Sequence, residues 1–318
     1  MSSLMELEAA AAIVYRSMPP TPQYAWPLLA QRTGCEVWVK HENHTPIGAF
    51  KVRGGLVYMQ ALKRERPDIK GVVSATRGNH GQSIALAATQ NGVAATIVVP
   101  KGNSVEKNAA MRALGAELIE AGNDFDSARD AAVRLAAERG LAMVPSFHTD
   151  LVHGVASYAL ELLRGAPLLD TVYVPIGLGS GICGTIAARD ALGLPTKVVG
   201  VVSTAASAYA LSFAAGKVVA TNSADTMADG MAVRGPDPAA LKIILAGADR
   251  IVQVSDAEIS AAMRAYYEDT HQLTEGAGAA ALAALLQERH SMSGKRIGLI
   301  LSGGNIDRAV YLRALAGD

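Results

Sequence analysis

The sequence predicts an α/β chain built from two open parallel-sheet layers. Three observations carry that reading. Short, unbroken apolar runs recur along the chain. Ala-rich stretches of helical length separate them. The alternation forms two series, at about 71–145 and about 171–301. Apolar runs without polar alternation suit strands buried on both faces, and the intervening helices supply the crossovers that parallel pairing needs. A length of 318 residues accommodates two such layers.

The elements follow in order. Residues 71–75 (GVVSA) read as a buried strand, and a helix follows from about Gly81. Residues 94–100 (AATIVVP) read as the next strand, 105–114 as a helix and 116–119 as a short strand. A helix over 125–138 returns to a strand at 142–145. The second series opens at 171–176 (TVYVPI), turns through a glycine-rich segment and enters a helix reaching about Leu192. Residues 197–202 (KVVGVV) form a strand. Ser255, Asp256 and Glu258 have the spacing of a capping box that opens a helix. A last strand, 296–301 (RIGLIL), ends in Ser302, Gly303 and Gly304. Ligands of such sheets sit outside the carboxyl ends of the strands, so the turns there are the places to search.

Composition excludes several classes. Lys+Arg and Asp+Glu are both 29, so the net charge is zero, which argues against broad capture of nucleic acid or an anionic membrane. Half the residues are hydrophobic and only 18% are charged, which excludes a disordered chain. Cys35 and Cys183 are the only cysteines, so neither a disulfide-dense fold nor a four-cysteine zinc site is available. The first residues lack a basic start and carry Glu6 and Glu8, unlike a signal peptide. No apolar stretch of ~20 residues is unbroken, so no transmembrane helix is expected. The expectation is a soluble, cytoplasmic protein.

Four turns hold residues suited to chemistry. In 48–54 (GAFKVRG), Lys51 lies among Ala49, Phe50 and Val52. Apolar surroundings lower a lysine's pKa and favour the neutral amine that Schiff-base chemistry needs, although a lysine snorkelling beside a core helix has the same local sequence. In 74–82 (SATRGNHGQ), a strand end opens a helix, whose free N–H groups and dipole can hold a carboxylate. Arg77 adds a planar fork there. The alternative is an ordinary turn with Asn79 as helix cap and His80 structural. In 177–184 (GLGSGICG), glycines let the backbone approach an anion. Residues 179–184 match G-x-G-x-x-G, but a dinucleotide site needs an acidic residue about 20 positions on. Residues 198–202 run instead into Ser203, Thr204 and Ala205, so the loop fits a phosphate and not a dinucleotide. Cys183 falls inside the new helix, as packing. In 302–305 (SGGN), Ser302 offers a hydroxyl and two glycines admit a ligand, or the segment merely caps a helix.

Together the four turns resemble the fold-type II pyridoxal-phosphate enzymes, the tryptophan synthase β-like group that contains the serine/threonine dehydratases and serine racemase. Thr21-Pro22 is similar to the family's early T-P, Lys40-His41-Glu42-Asn43 to its K-x-E-N stretch, and 49–54 to S-F-K-x-R-G. ATRGNHGQ resembles its S-x-G-N-H segment, the Gly177 loop its phosphate loop, and LSGGN its pyridine-contacting segment. The resemblance spans about 20–307, in the family's order. It implies pyridoxal 5'-phosphate in Schiff-base linkage to Lys51, which is also the catalytic base. It places Phe50 beside the ring, Asn79 on its 3-hydroxyl, Gly177, Leu178, Gly179, Ser180 and Gly181 on the phosphate, and Ser302 facing the pyridine nitrogen. Thr76, Arg77, Gly78 and His80 would surround an amino-acid substrate, with Gly230 and Glu275 at lesser positions nearby. No metal ligand is assigned.

The implied activity is β-elimination from a β-hydroxy amino acid such as L-threonine or L-serine, giving a 2-oxo acid and ammonia. A serine opposite the pyridine nitrogen does not enforce its protonation, which weakens the electron sink and favours prompt loss of a β-substituent. Freed Lys51 would remove the α-proton as general base. 3-Hydroxyaspartate and phenylserine are alternative substrates. A cysteine synthase-like β-replacement enzyme is a second reading, and a nicotinamide oxidoreductase is a third that explains neither Lys51 nor Ser302. The resemblance also implies a homodimer, a small mobile domain at 48–148, and a large cofactor-binding domain from 1–47 plus 149–318.

The chain departs from the family pattern in several places. Arg77 replaces the usual Ser or Ala, and an always-protonated guanidinium cannot serve as a racemase's second base, so little racemization is expected. The same arginine could bind a second carboxylate or face an acidic side chain. Leu178 and Ser180 interrupt the glycine run and would have to point away from the phosphate. Ala49 replaces the usual Ser. Residues 203–208 (STAASA) lack the family's metal-binding carboxylates, so metal activation there is not expected. Only 13 residues follow Asn305, leaving no room for a C-terminal regulatory domain, so isoleucine feedback is not expected.

Overall fold

The computed structural model describes residues 2–317. Its strands are β1 (Gln23–Ala25), β2 (Glu36–His41), β3 (Gly71–Ala75), β4 (Ala94–Val99), β5 (Glu117–Glu120), β6 (Ala142–Met143), β7 (Thr171–Pro175), β8 (Lys197–Ser203), β9 (Arg250–Val254) and β10 (Arg296–Leu301). They form one sheet ordered β1-β2-β10-β7-β8-β9 and a second ordered β5-β4-β3-β6. Every pairing is parallel except that of β1 with β2. The α/β class and the two parallel sheets expected from the sequence are both present.

The unbroken apolar runs became the interior strands. All five residues of β3 and of β7 are buried, because helices cover both faces. The capping box at Ser255 and Glu258 opens the Asp256–Thr270 helix as its spacing requires. Two boundaries shift by two residues, and the strands β1, β2 and β9 are not among those expected. The helix after β3 begins at Asn79 rather than Gly81, with Gly78 as its N-cap, so Asn79 is not the cap. The strand expected over 142–145 pairs only through Met143, although Val144 N still donates to Val73 O at 2.8 Å. β2, with the sequence EVWVKH, escapes a pattern of unbroken apolar residues, yet it occupies the larger sheet between β1 and β10.

Helix packing sets the site. The Gly276–Met292 helix is buried along every residue from Gly276 to Leu285, and its Ala-rich sequence permits close approach to the larger sheet. At the join between the two sheets lies a buried ionic network. Arg53 Nε bonds Glu42 at 2.7 Å and Nη1 bonds Glu161 at 2.6 Å, while Lys40 Nζ reaches Glu161 at 2.6 Å. Two cations and two carboxylates balance there, which is the condition for tolerating buried charge. Arg53 is two residues from Lys51, so the network anchors the start of the Lys51–Glu65 helix.

The chain order reverses between β3 and β6 in one sheet and between β7 and β10 in the other. Such switch points open a crevice at the carboxyl ends of the strands. The turns beginning at Thr76, Ile176 and Ser302 follow β3, β7 and β10 directly. No helix among the described residues is long and apolar enough to cross a membrane.

Candidate active site

A cavity of about 820 Å³ opens where the carboxyl ends of the two sheets face each other. Phe50 and Lys51 line it from one helix start, and Thr76, Arg77, Gly78, Asn79 and His80 from a second. Gly177 through Gly181 contribute a third wall, and Gly230, Glu275 and Ser302 complete it. The structure thus gathers all fifteen sequence-predicted site residues into one cavity, although they span residues 50–302.

Lys51 opens the Lys51–Glu65 helix and sends Nζ into the cavity, where it donates to Ser180 Oγ at 3.1 Å and lies 4.9 Å from the Phe50 ring centroid. Burial lowers its pKa to about 8, against the pull of Glu275, so an appreciable fraction is neutral amine near pH 7. Ser180 corrects one expectation. Its side chain does not turn away from the loop's ligand side; it engages Lys51, and a small hydroxyl can serve an anion there as a donor. Leu178 is held through its carbonyl, which accepts from Tyr209 Oη at 2.9 Å.

The glycines of this loop are required by shape. A Cβ on Gly177 would overlap the Gly230 carbonyl oxygen, and Gly179 has φ +101° with a would-be Cβ 2.8 Å from the Ala240 methyl. The loop leads into the twelve-residue Ser180–Ala191 helix, whose first N–H groups have no partner within the helix. That combination suits a phosphate.

The opposite turn is polar and ordered. Thr76 Oγ1 accepts from Gly78 N at 3.0 Å. Asn79 Nδ2 donates to Glu275 Oε1 at 2.7 Å, and its Oδ1 accepts from Asn305 Nδ2 at 2.9 Å, leaving one Nδ2 hydrogen for a ligand. His80 Nε2 is buried with no partner among the described residues. Burial, aided by Lys51, lowers the His80 pKa to about 3, so the ring is neutral at working pH. Arg77 is exposed at the cavity wall and forms no ion pair among the described residues. Glu275 caps the Gly276–Met292 helix; burial and Asp229 push its carboxyl up, while Lys107 and Asn79 oppose them.

Sequence reasoning missed Lys107 and Asp229. Lys107 Nζ bonds Asp229 at 2.6 Å and Glu275 at 3.4 Å across the cavity. The partners stand 122 and 168 residues away, and no local pattern marks the contact.

These residues fit pyridoxal phosphate. They offer a half-buried amine of lowered pKa, a glycine cradle on a helix N-terminus, a neutral hydroxyl at the buried Ser302, and an unpartnered imidazole nitrogen. When bound, the cofactor supplies the electron sink for loss of an α-proton and a β-substituent.

Comparison with known proteins agrees. Residues 14–303 match the family described as pyridoxal-phosphate dependent enzyme. The chain is 39% identical over 280 residues to the L-threonine ammonia-lyase of Geobacter sulfurreducens, covering 87% of this chain and 69% of that protein. It is 34% identical over 298 residues to the L-threo-3-hydroxyaspartate ammonia-lyase of Saccharomyces cerevisiae, covering 93% and 91%. The solved structure of the processed form of threonine deaminase isoform 2 from Solanum lycopersicum superposes with a TM-score of 0.91 at 29% identity, covering 99% of this chain and 94% of that one. With Lys51, the 177–181 glycine loop and Ser302 lining one cavity, the chain belongs to the fold-type II pyridoxal-phosphate dependent enzymes and is a lyase.

Proposed function

We propose that this enzyme is an ammonia-lyase for a β-hydroxy amino acid, with L-threonine and L-serine as its first substrates. The observation that carries the reading is the amine of Lys51, half-buried at the cavity wall with its pKa lowered to about 8. In that state it accepts an α-proton at Nζ near neutral pH. The Thr76–His80 turn binds the substrate carboxylate through its N–H groups. The 177–181 loop would hold the phosphate, Phe50 would flank the ring, and Asn79 would offer its free Nδ2 hydrogen to the ring hydroxyl. Ser302 would present a hydroxyl to the pyridine nitrogen, which would favour elimination. The α-proton passes to Lys51 Nζ, which returns a proton to the departing β-hydroxyl so that it leaves as water; addition of water to the resulting enamine then yields a 2-oxo acid and ammonia.

In this reading, residues 48–148 close as a unit over the remainder, carrying the Thr76–His80 turn onto the substrate. The enzyme acts as a cytoplasmic homodimer in amino-acid catabolism. A second substrate reading is favoured by Arg77, whose guanidinium lines the cavity without a carboxylate partner among the described residues. It suits a substrate with a second carboxylate, such as 3-hydroxyaspartate.

The test is the absorbance spectrum of the purified enzyme with and without each amino acid, combined with a 2-oxo acid assay. A cofactor band that disappears in Lys51→Ala, with oxo-acid release from threonine or serine, is expected. Release from 3-hydroxyaspartate alone would favour the second substrate. Cysteine formation on adding sulfide, without oxo acid, would refute elimination.

A further inference from the structure

We propose that Lys107 is a positioning residue of this active site, holding the substrate-binding Thr76–His80 turn against the opposite wall. Three contacts meet in this one side chain. Its stem lies directly on the turn, so closely that a Cβ on Gly78 would overlap Lys107 Cδ. Its ammonium crosses the cavity to Asp229 at 2.6 Å, in the segment that supplies Gly230. It also reaches Glu275 at 3.4 Å, and Glu275 in turn accepts from Asn79 Nδ2 at 2.7 Å.

The result is a closed circuit. Asn79 is a member of the turn, Glu275 links it to Lys107, and the Lys107 stem returns to Gly78. Asn305 Nδ2 extends the circuit by donating to Asn79 Oδ1 and to the Ile47 carbonyl. Lys107 lies on the Val105–Ala113 helix, which packs with the smaller sheet, whereas Asp229 opens the Asp229–Met231 3-10 turn and Glu275 directly precedes the Gly276–Met292 helix, which packs on the larger sheet and against that turn. Two carboxylates keep its ammonium charged, and the side chain is 5% exposed, so water does little to screen the pairing. Removing the head leaves Glu275 buried without its cation and frees Asn79 from a fixed acceptor. The turn then loses its orientation, while Lys51, the 177–181 loop and Ser302 keep their places and Asn79 alone of the groups assigned to the cofactor loses a contact.

The inference rests on the amino-acid substrate proposed above, and its test is read both with and without turnover. Lys107→Met keeps the stem and deletes the charge. In the cofactor-loaded enzyme the visible cofactor band is expected to persist, KM to rise about tenfold, equivalent to ~1.4 kcal/mol, and kcat to change far less. Lys107→Arg should recover most of the loss. In the cofactor-free protein, amide exchange at residues 76–80 should quicken relative to the Arg308–Ala316 helix. The losses in Tm from Lys107→Met and Glu275→Gln should be less than additive when combined. If Lys107→Met does not fold, rescue of folding by Glu275→Gln supports the pairing, and no rescue overturns it. KM within twofold of wild type, unchanged exchange at 76–80 or additive losses would each overturn the proposal. A wild type that releases no 2-oxo acid refutes the substrate reading instead, while exchange in the cofactor-free protein still reports on Lys107.

Discussion

Lys51 should make the cofactor-free protein less stable than it could be. Burial lowers the pKa of its amine from 10.5 to about 8. The shift corresponds to on the order of 3 kcal/mol at ~1.36 kcal/mol per pKa unit. Because the side chain is partly open to the cavity, we take this as an upper bound. The sign follows from proton counting. Below pH 8 the lysine is charged in both states, and the folded state bears the whole desolvation cost. Between the folded and unfolded values the unfolded chain binds more protons, so stability rises with pH. Above the unfolded value the amine is neutral in both states and the cost is gone. Lys51→Met removes the charge and keeps the length, but forfeits the bond to Ser180, worth about 1 kcal/mol. The net expectation is a variant stabilised by about 1–2 kcal/mol at pH 7. Urea unfolding of both cofactor-free proteins from pH 6 to above the ordinary lysine pKa reads the difference, in which titrating groups other than His80 and Glu275, the two coupled to Lys51, cancel. The gap should be widest below pH 8, shrink as pH rises and reverse above the ordinary lysine pKa, where only the lost Ser180 bond, about 1 kcal/mol, remains. A less stable variant at pH 7, or a gap independent of pH, would refute the reasoning.

Other perturbations have equally definite outcomes. Arg53→Met strands Glu42, which has 0% side-chain exposure, and should cost about 3–5 kcal/mol in denaturant unfolding; a loss below 1 kcal/mol would show that the network relaxes. Gly177→Ala drives a methyl group into the Gly230 carbonyl, so pyridoxal phosphate should bind at least tenfold more weakly in an absorbance titration while the cofactor-free fold persists. With L-serine as substrate, chiral chromatography should find far less D-serine than pyruvate, because a guanidinium, not a base, stands at Arg77; comparable yields would mean that another group acts as the second base.

Much of the fold was legible because its interior strands carry their own signal. β3, β4, β7, β8 and β10 are buried on both faces, and a run such as GVVSA or RIGLIL has no other stable setting. β2 was not legible. Its Lys40 and His41 look like surface residues until Glu161 and the Trp26 indole are brought to them. The Gly276–Met292 helix gave little periodicity for the opposite reason: it is enclosed on nearly every side.

The same division runs through the site. Lys51, the Asn79 turn, the 177–181 loop and Ser302 were all readable, since each is a short motif whose chemistry depends on neighbours in the chain. Sequence by itself therefore determined the fold class and the cofactor, and it named residues that the fold gathers around one cavity. Only the tertiary structure decided which way Ser180 points, that Asn79 is tied to Glu275 and Asn305, that Arg77 has no acidic partner among the described residues, and that Lys107 bridges the cavity. Those facts depend on pairs up to 226 residues apart. Charge and hydrogen bonding act through space, so partners meeting at the crevice between two sheets leave no mark in the local spacing of either segment.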